Sequence, residues 1–392
     1  MNIFDRRYET MPRAELEQLQ LERLQALVVR LRRNVRRYRE TLADLRVESL
    51  EDLPRLPFTT PETLADAFPY GLFAFPLREI IRLHSAVGPD GRPIVIGHTR
   101  NDLTQWSRLV ARQLAAAGIT ANDVIQISLG RAAASAASGY LLGAELIEAS
   151  VIAEDPLHLD YQLAMLQNYR PTVLVTTPTH ALDFARCLEQ RRLDPQSLHL
   201  RSVLLSRNVN HETRQQVAAG LFAAVHCSFG LPEILDPGLC LQCQAGRFHI
   251  NEDQFLPEIC DGELVITTLS REALPLLRYR TRIAAQLRHE KCSCGRTGAL
   301  LQPGNRLDRQ FRFREITFYE AQIAQVLAQT PAAGHRFQVQ LTEHQLTLAI
   351  EISQDLFANT LASAENPRRQ IELELLARLG LEAEVGFVEP KR

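Results

Sequence analysis

Two short clusters of cysteine and histidine could bind a metal ion. The first, CLQCQAGRFH, contains Cys240, Cys243 and His249, and the second, CSCG, contains Cys292 and Cys294. Structural zinc takes four nitrogen or sulfur ligands, commonly from two short segments that each form a tight turn. The spacing therefore predicts a structural zinc site. Two ligand sets stay open: Cys243, His249, Cys292 and Cys294, or a four-cysteine set that includes Cys240.

A glycine-rich turn, VGPDGRP, follows an apolar run and has the form of a phosphate-binding loop. Gly88 and Gly91 would let backbone N–H groups point into one concavity, and Arg92 adds a positive charge. Pro89 removes a backbone donor, and Asp90 puts a negative charge where a phosphate would bind. The sequence of the turn therefore predicts a loop with the shape of a phosphate-binding loop but with few of the donors and positive charges that bind phosphate.

The composition narrows the classes of function. The chain has 392 residues and a formal net charge of -2, so we expect neither nucleic acid nor an anionic membrane as a partner. No apolar run is long enough to span a bilayer, and the N-terminal sequence lacks the apolar core of a signal peptide, which predicts a cytoplasmic protein. Only Lys291 and Lys391 are lysines, so a mechanism that needs an ammonium group has two candidates.

The patterning predicts an α/β fold with two domains. Residues 14–45 have apolar residues at helical spacing, and from residue 100 to 227 helices alternate with buried strands, as in a covered, mainly parallel sheet. Short strands and turns follow, including the zinc knuckle within 240–295. We predict a large N-terminal domain over 1–305 and a small α+β lid domain over 306–392.

Several segments resemble the phenylacetate–CoA ligase family of adenylate-forming enzymes. They are SLEDLPRLPFTTPETLADAFPYGLFAFP, RLHSAVGPDGRPIVIGHTRNDLTQW, FGLPEI, GELVITTLSREALPLLRYRTR and CSCGRT. The resemblance implies that ATP and Mg²⁺ activate a carboxylic acid as an acyl-adenylate, which is then transferred to coenzyme A while a lid domain rotates. It also implies zinc at the matching positions, which favours the set with His249, and a C-terminal domain truncated relative to the family.

The resemblance assigns the nucleotide contacts to a degenerate set of positions: Gly88, Gly91, Arg92, Phe229, Gly230, Glu233 and Arg306. Phe229 could stack on the base, and Glu233 could hold magnesium, so Glu233 is the catalytic candidate if activity survives. In the family the loop reads roughly S-S-G-T-T-G-K-P, whose hydroxyls and lysine contact phosphate. This chain has none of them at the matching positions.

Two further family positions are altered. Ile283 stands where the family has an aspartate that accepts both ribose hydroxyls, and an isoleucine leaves those hydroxyls unpaired. The lid lysine has no counterpart, because Lys291 lies in the zinc knuckle and Lys391 is the penultimate residue. We therefore expect a diverged, non-adenylating homologue that binds a small carboxylic acid or a protein partner. The protein partner could be a second copy of the chain, which would form a homodimer. The alternative is an active ATP-dependent acid–thiol ligase with substituted nucleotide contacts, for which ATP, Mg²⁺ and coenzyme A would be needed.

Overall fold

The chain divides into two compact units. The computed structural model describes residues 2–88, 91–130, 133–154, 158–314, 316–342, 345–351 and 365–388. The first unit comprises Met1–Ala86 and Pro93–Leu307, and the second comprises Val87–Arg92 and Asp308–Arg392. The sequence places residues 87–92 in the larger domain, whereas in the structure this short segment groups with the smaller unit.

The first unit begins with helices that pack on its core. They are α1 (Arg6–Glu9), α2 (Arg13–Asn34), α3 (Arg36–Thr41) and α4 (Pro61–Asp66). On α2 the predicted apolar face is buried, with Leu24, Leu27 and Leu31 fully shielded from solvent. Burial of each leucine stabilises the fold by about 1.5–3 kcal/mol. The helical prediction for residues 14–45 is therefore confirmed up to Thr41, with a break at Val35.

The glycine-rich turn joins two strands, β1 (Arg82–Val87) and β2 (Pro93–His98), which form a two-stranded sheet. Gly88 N–H donates to the carbonyl of Arg92 at 2.8 Å, which closes the turn. Gly91 has a φ of +76°, a left-handed conformation that glycine adopts without strain. Pro89 and Asp90, to which the sequence assigns the loss of phosphate affinity, lie outside the described residues.

A five-stranded parallel sheet forms the centre of the first unit. Its strands, in chain order, are β3 (Val124–Ser128), β4 (Ser150–Glu154), β5 (Val173–Thr176), β6 (Ser202–Leu205) and β7 (Ala224–Cys227). They are arranged β4-β3-β5-β6-β7, and every neighbouring pair is parallel. The helices that accompany them are α5 (Arg100–Ala116), α6 (Ala134–Leu146), α7 (Leu159–Tyr169), α8 (Pro178–Gln190) and α9 (His211–Leu221). The predicted α/β class with a parallel sheet is confirmed.

Helices α5 and α6 approach closely because α6 has glycines at the contact. A Cβ on Gly143 would lie 2.5 Å from Cγ1 and 2.6 Å from Cβ of Val110, and a Cβ on Gly139 would lie 2.7 Å from the ring of Trp106. Real Cβ atoms essentially never come this close to another heavy atom. The small-residue composition of α6 is therefore a packing requirement.

Replacing Gly143 with alanine is expected to destabilise the chain by up to about 2 kcal/mol. Overpacking a dense contact typically costs about 1–3 kcal/mol, and the gain in helix propensity of about 1 kcal/mol offsets part of it. Thermal unfolding followed by far-ultraviolet circular dichroism measures the change. Gly386→Ala is the matched control, because a Cβ there meets nothing within 4 Å. Unfolding of the Gly143 variant at or above the wild-type temperature would contradict the packing account.

An antiparallel sheet of six strands completes the first unit. Its strands are β8 (Cys240–Gln242), β9 (Phe248–Ile250), β10 (Phe255–Cys260), β11 (Glu263–Thr268), β12 (Tyr279–Arg288) and β13 (Leu300–Arg306). They are arranged β10-β11-β12-β13-β9-β8. The segment LPLLRYRT, which the sequence places among short strands and turns, contributes only its last residues to β12, which begins at Tyr279.

The second unit has a small hydrophobic core of its own. Its elements are β14 (Gln310–Phe313), β15 (Ile316–Tyr319), α10 (Glu320–Leu327), β16 (Phe337–Leu341), β17 (Leu346–Glu351), α11 (Glu365–Leu379) and β18 (Glu384–Val388). Strand β17 pairs antiparallel with β16 and parallel with β18, and α10 and α11 contribute Ile323 and Ile371 to the core. Among the described residues, no helix combines the length and the apolar character that crossing a membrane requires.

Candidate functional site

Four side chains that are distant in sequence come together in the antiparallel region of the first unit. One ligand atom from each of Cys243, His249, Cys292 and Cys294 lies within 4.8 Å of the other three. All four side chains are buried. The structure thus assembles one of the two candidate ligand sets that the sequence leaves open.

Two tight turns and one strand position these ligands. Cys243 follows β8, and its turn is closed by the hydrogen bond from Gly246 N–H to the Cys243 carbonyl at 2.8 Å. The second turn is closed in the same way by Gly295 N–H, which donates to the Cys292 carbonyl at 3.0 Å. Both glycines have positive φ, +75° and +76°, which other residues adopt only with strain. His249 lies on β9, so its ring is fixed by the sheet.

The spacing of the ligand atoms fits a tetrahedral zinc ion. The sulfurs of Cys243 and Cys292 are 3.9 Å apart, and the sulfur of Cys294 is 3.3 Å from Nε2 of His249. With zinc–sulfur bonds of about 2.3 Å, the sulfur–sulfur edge of a tetrahedron is about 3.8 Å. His249 donates its Nδ1–H to the carbonyl of Gly298 at 3.1 Å, so Nε2 keeps its lone pair toward the cluster. The donor set and the geometry therefore both suit zinc.

Burial disfavours charge in this cluster when no cation is bound. It raises the pKa of the Cys243 thiol to about 11 and lowers the pKa of His249 to about 4. A neutral imidazole is the form that binds metal, whereas a thiol must lose its proton. A bound cation would supply the positive charge that stabilises the thiolates.

Cys240, the alternative ligand, has a different environment. It lies on β8 opposite Ile250, has no solvent exposure and belongs to the main hydrophobic core. Burial raises the pKa of its thiol. Cys240 is not part of the group formed by Cys243 and its three neighbours. Its surroundings are those of a packed core cysteine.

The aromatic and acidic nucleotide candidates lie in one segment after β7, beyond the carboxyl end of the strand. The ring of Phe229 meets that of Phe248 at 6.3 Å and an angle of 61°. Glu233 accepts a hydrogen bond from the hydroxyl of Tyr279 at 2.7 Å. A Cβ on Gly230 would lie 2.8 Å from the carbonyl oxygen of Leu235, so this position needs glycine. The segment therefore has a defined conformation, and Glu233 already has a partner.

The remaining candidates lie on other elements. Arg306 ends β13 and stands opposite Ile283 in the pairing of β12 with β13, and both belong to the first unit. Gly88, Gly91 and Arg92 belong to the second unit. Ile283 is 6% exposed and is part of the main hydrophobic core.

The two lysines of the chain can be placed only in part. Lys291 is exposed beside the cysteine cluster. Lys391 lies outside the described residues, so the structure does not describe its surroundings.

Sequence reasoning missed two buried polar residues in the first unit. The ring of His98 stacks between those of His84 and Trp106, at centroid distances of 5.1 and 5.2 Å. Arg271 is 5% exposed and donates to the carbonyls of Gly97 and Ile234 at 3.0 and 3.3 Å. The only local signal was a polar residue at the end of an apolar strand, which by itself is uninformative.

Comparison with known proteins gives consistent similarities. The chain is 36% identical over 374 residues to a phenylacetate-coenzyme A ligase of Thermus thermophilus, covering 89% of this chain and 84% of the relative. It is 31% identical over 388 residues to a phenylacetate-coenzyme A ligase of Pseudomonas putida, covering 94% and 88%. A crystal structure of a 2-hydroxyisobutyryl-CoA ligase, bound to 2-HIB-AMP and CoA, superposes with a TM-score of 0.86 at 24% identity, over 98% of this chain and 88% of that one. No protein-family model matches the chain.

Proposed function

The chain belongs to the phenylacetate–coenzyme A ligase family, and we propose that it is a member that has lost ATP-dependent acid activation and binds a small carboxylic acid. Membership of the family does not by itself show that the chain catalyses the family's reaction. A fold can be retained after the residues that perform a reaction have been replaced. The function must therefore be argued from the residues at the site.

Ile283 is the observation that carries the proposal. Tyr279, Arg280 and Thr281 resemble the family's Tyr-Arg-Thr-x-Asp motif, and by that resemblance Ile283 stands in for the aspartate that accepts both ribose hydroxyls. Its side chain is buried in the main hydrophobic core and offers no acceptor. A nucleotide bound against it would leave hydroxyls unpaired, at about 1–3 kcal/mol for each buried group. A site built to pair such groups can lose about four orders of magnitude in discrimination when the pairing is absent.

A second replacement supports the same conclusion. The glycine-rich turn lacks the hydroxyls and the lysine of the family loop, so fewer donors would face a triphosphate. Loss of the loop donors together with the ribose acceptor is harder to compensate than loss of either alone.

We expect no acid-dependent exchange of pyrophosphate into ATP with this chain. Exchange requires reversible formation of an acyl-adenylate, which the replaced contacts no longer stabilise. The assay uses radiolabelled pyrophosphate, ATP and Mg²⁺ with a panel of aliphatic, hydroxylated and aromatic acids. The Thermus thermophilus relative, assayed in parallel, is the positive control. Exchange that depends on one acid and exceeds the acid-free background would overturn the proposal.

An active acid–thiol ligase is the second candidate, and the retained Glu233 favours it. The carboxylate is held by the Tyr279 hydroxyl at 2.7 Å, in the segment that the family uses for adenine and magnesium. Under this reading ATP, Mg²⁺ and coenzyme A are the co-substrates. The exchange assay decides between the two functions, because only an active ligase shows acid-dependent exchange. If the wild-type chain shows exchange, we expect Glu233→Gln to abolish it.

We also propose that the cysteine–histidine group holds zinc in a structural role. Four protein donors complete a tetrahedron and leave no position for a substrate or water. The ion would join the turn after β8 to the turn that precedes β13. None of the seven cysteines forms a disulfide, which agrees with the cytoplasmic location that we also propose.

A further inference from the structure

Three aromatic side chains form a stacked column inside the first unit. The ring of His98 lies nearly parallel to that of Trp106, at an angle of 6°, and its other face meets His84 at 20°. His98 and Trp106 are each 1% exposed. Nε2 of His84 lies 3.3 Å from the hydroxyl of Ser135 on α6. The column therefore places imidazole nitrogens deep in the fold.

Several buried polar nitrogens around this column have no hydrogen-bond partner. Within the part of the chain that the structure describes, this holds for Nη1 of Arg82, Nδ1 of His84, both ring nitrogens of His98 and Nε of Arg271. We call these four residues the basic cluster. Each buried, unsatisfied polar group costs about 1–3 kcal/mol, so a concentration of them needs an explanation. A bound ligand that supplies acceptors is one such explanation.

The two arginines of the basic cluster carry positive charge, and the nearby protein groups neutralise that of Arg271 poorly. The carboxylate closest to Arg271 is that of Asp102, with 4.0 Å between Nε and Oδ1. Both oxygens of Asp102 already accept backbone N–H groups, from Glu272 at 2.8 Å and from Ala273 at 3.0 Å. Burial lowers the pKa of Arg271 and lowers the pKa of His84 to about 4. A buried, weakly paired guanidinium is costly unless an anion accompanies it.

The cluster adjoins the segment that carries the nucleotide candidates of the first unit. Arg271 donates to the carbonyl of Ile234, the residue after Glu233. Trp106 donates its indole N–H to the carbonyl of Pro237 at 2.5 Å. A ligand that rests against this segment is therefore close to the unpaired donors.

We propose that Arg82, His84, His98 and Arg271 bind the anionic group of a small polar ligand, such as the second carboxylate of a dicarboxylic acid. The inference rests on the acid-binding part of the proposed function and specifies the class of acid. A carboxylate offers two oxygens with several lone pairs, which can accept from Nη1 of Arg82, from Nε of Arg271 and from the single N–H of a neutral His98. A phenyl ring at the same place would leave those donors unsatisfied, so this ligand differs from phenylacetate.

Trp106 is the only tryptophan and its ring stacks on that of His98, so its emission responds to binding at the basic cluster. The full chain is titrated, without ATP, with succinate, phenylacetate or inorganic phosphate at constant ionic strength. We expect a saturable change of Trp106 emission with succinate, at least about tenfold tighter than with phenylacetate, a difference of about 1.4 kcal/mol. Equal or tighter binding of phenylacetate, binding of phosphate alone, or no response to any probe would each overturn the proposal.

Two variants locate the effect. His98→Phe keeps a ring in the stack and removes both unpaired nitrogens, and Arg82→Met removes one positive charge without a cavity. Each is expected to weaken succinate binding at least about tenfold. His180→Phe is the control, a histidine of α8 whose ring meets Phe184 at 4.6 Å, outside the basic cluster. Unchanged affinity in both cluster variants would overturn the proposal.

The two proposals fail separately. The fluorescence titration contains no nucleotide, so its failure leaves the loss of acid activation untouched. Acid-dependent pyrophosphate exchange would refute the loss of activation without bearing on the anion site.

Discussion

Replacing Cys243 with serine is expected to reduce the zinc content of the purified chain from about one ion to near zero. The variant removes one of four ligands, and serine is a poor ligand for zinc because its hydroxyl stays protonated near neutral pH. Loss of a partner that merely orients a ligand costs about 10–100-fold in metal affinity, and loss of a ligand costs more. We therefore expect the affinity for zinc to fall by more than about a hundredfold.

Metal analysis of wild type and variants by plasma mass spectrometry measures this effect. Cys240→Ser is the matched control, because Cys240 is equally buried and close in sequence but packs in the hydrophobic core. We expect the control to keep its zinc. Zinc retained by the Cys243 variant, or lost only from the Cys240 variant, would contradict the ligand set. The second result would favour the four-cysteine alternative.

Replacing Glu9 with glutamine is expected to destabilise the first unit by about 3–5 kcal/mol. Glu9 forms an ion pair with Arg296 at 2.6 Å, and the two side chains are 2% and 3% exposed. Its other oxygen accepts the backbone N–H groups of Phe4 and Asp5 at 2.9 and 2.7 Å. Glutamine can still accept hydrogen bonds but leaves the guanidinium without a counter-charge. Breaking one side of a buried pair typically costs this much, although the intact pair itself contributes little.

Urea unfolding followed by Trp106 emission reports the stability of the first unit. Glu17→Gln is the matched control, since Glu17 pairs with Arg13 at 2.8 Å but is 51% exposed. Exposed pairs contribute about 0–1 kcal/mol, so the control should unfold close to the wild-type midpoint. A Glu9 variant that unfolds at the same urea concentration as the control would show that the N-terminal segment is not anchored by this pair.

Regular elements follow from local pattern, which explains why much of the fold can be predicted from the sequence. Leucines at helical spacing predict α2, and alternating residues predict β16 and β17, since one face of each element is buried. The start of β12 does not follow from the same reasoning. Leu274, Leu276 and Leu277 are all buried although they are not in a strand, and a short apolar run does not distinguish a strand from a buried loop.

The candidate site depends on contacts that local pattern does not contain. The sequence cannot choose between Cys240 and His249, because the choice depends on how β8 and β9 turn their side chains within the sheet. The pair of Glu9 with Arg296 joins residues 287 positions apart. The surroundings of His98 likewise depend on Trp106 and Arg271, which lie on other elements of the fold. The ligand set and these buried contacts therefore depend on long-range packing, which composition and local spacing do not determine.

Calorimetric titration of the full chain with ATP in the presence of Mg²⁺ tests the loss of acid activation most directly. Ile283 in place of a ribose acceptor and the altered glycine-rich turn predict no saturable heat up to millimolar nucleotide. A fitted dissociation constant in the micromolar range, with about one site per chain, would contradict this and identify the chain as a ligase with substituted nucleotide contacts.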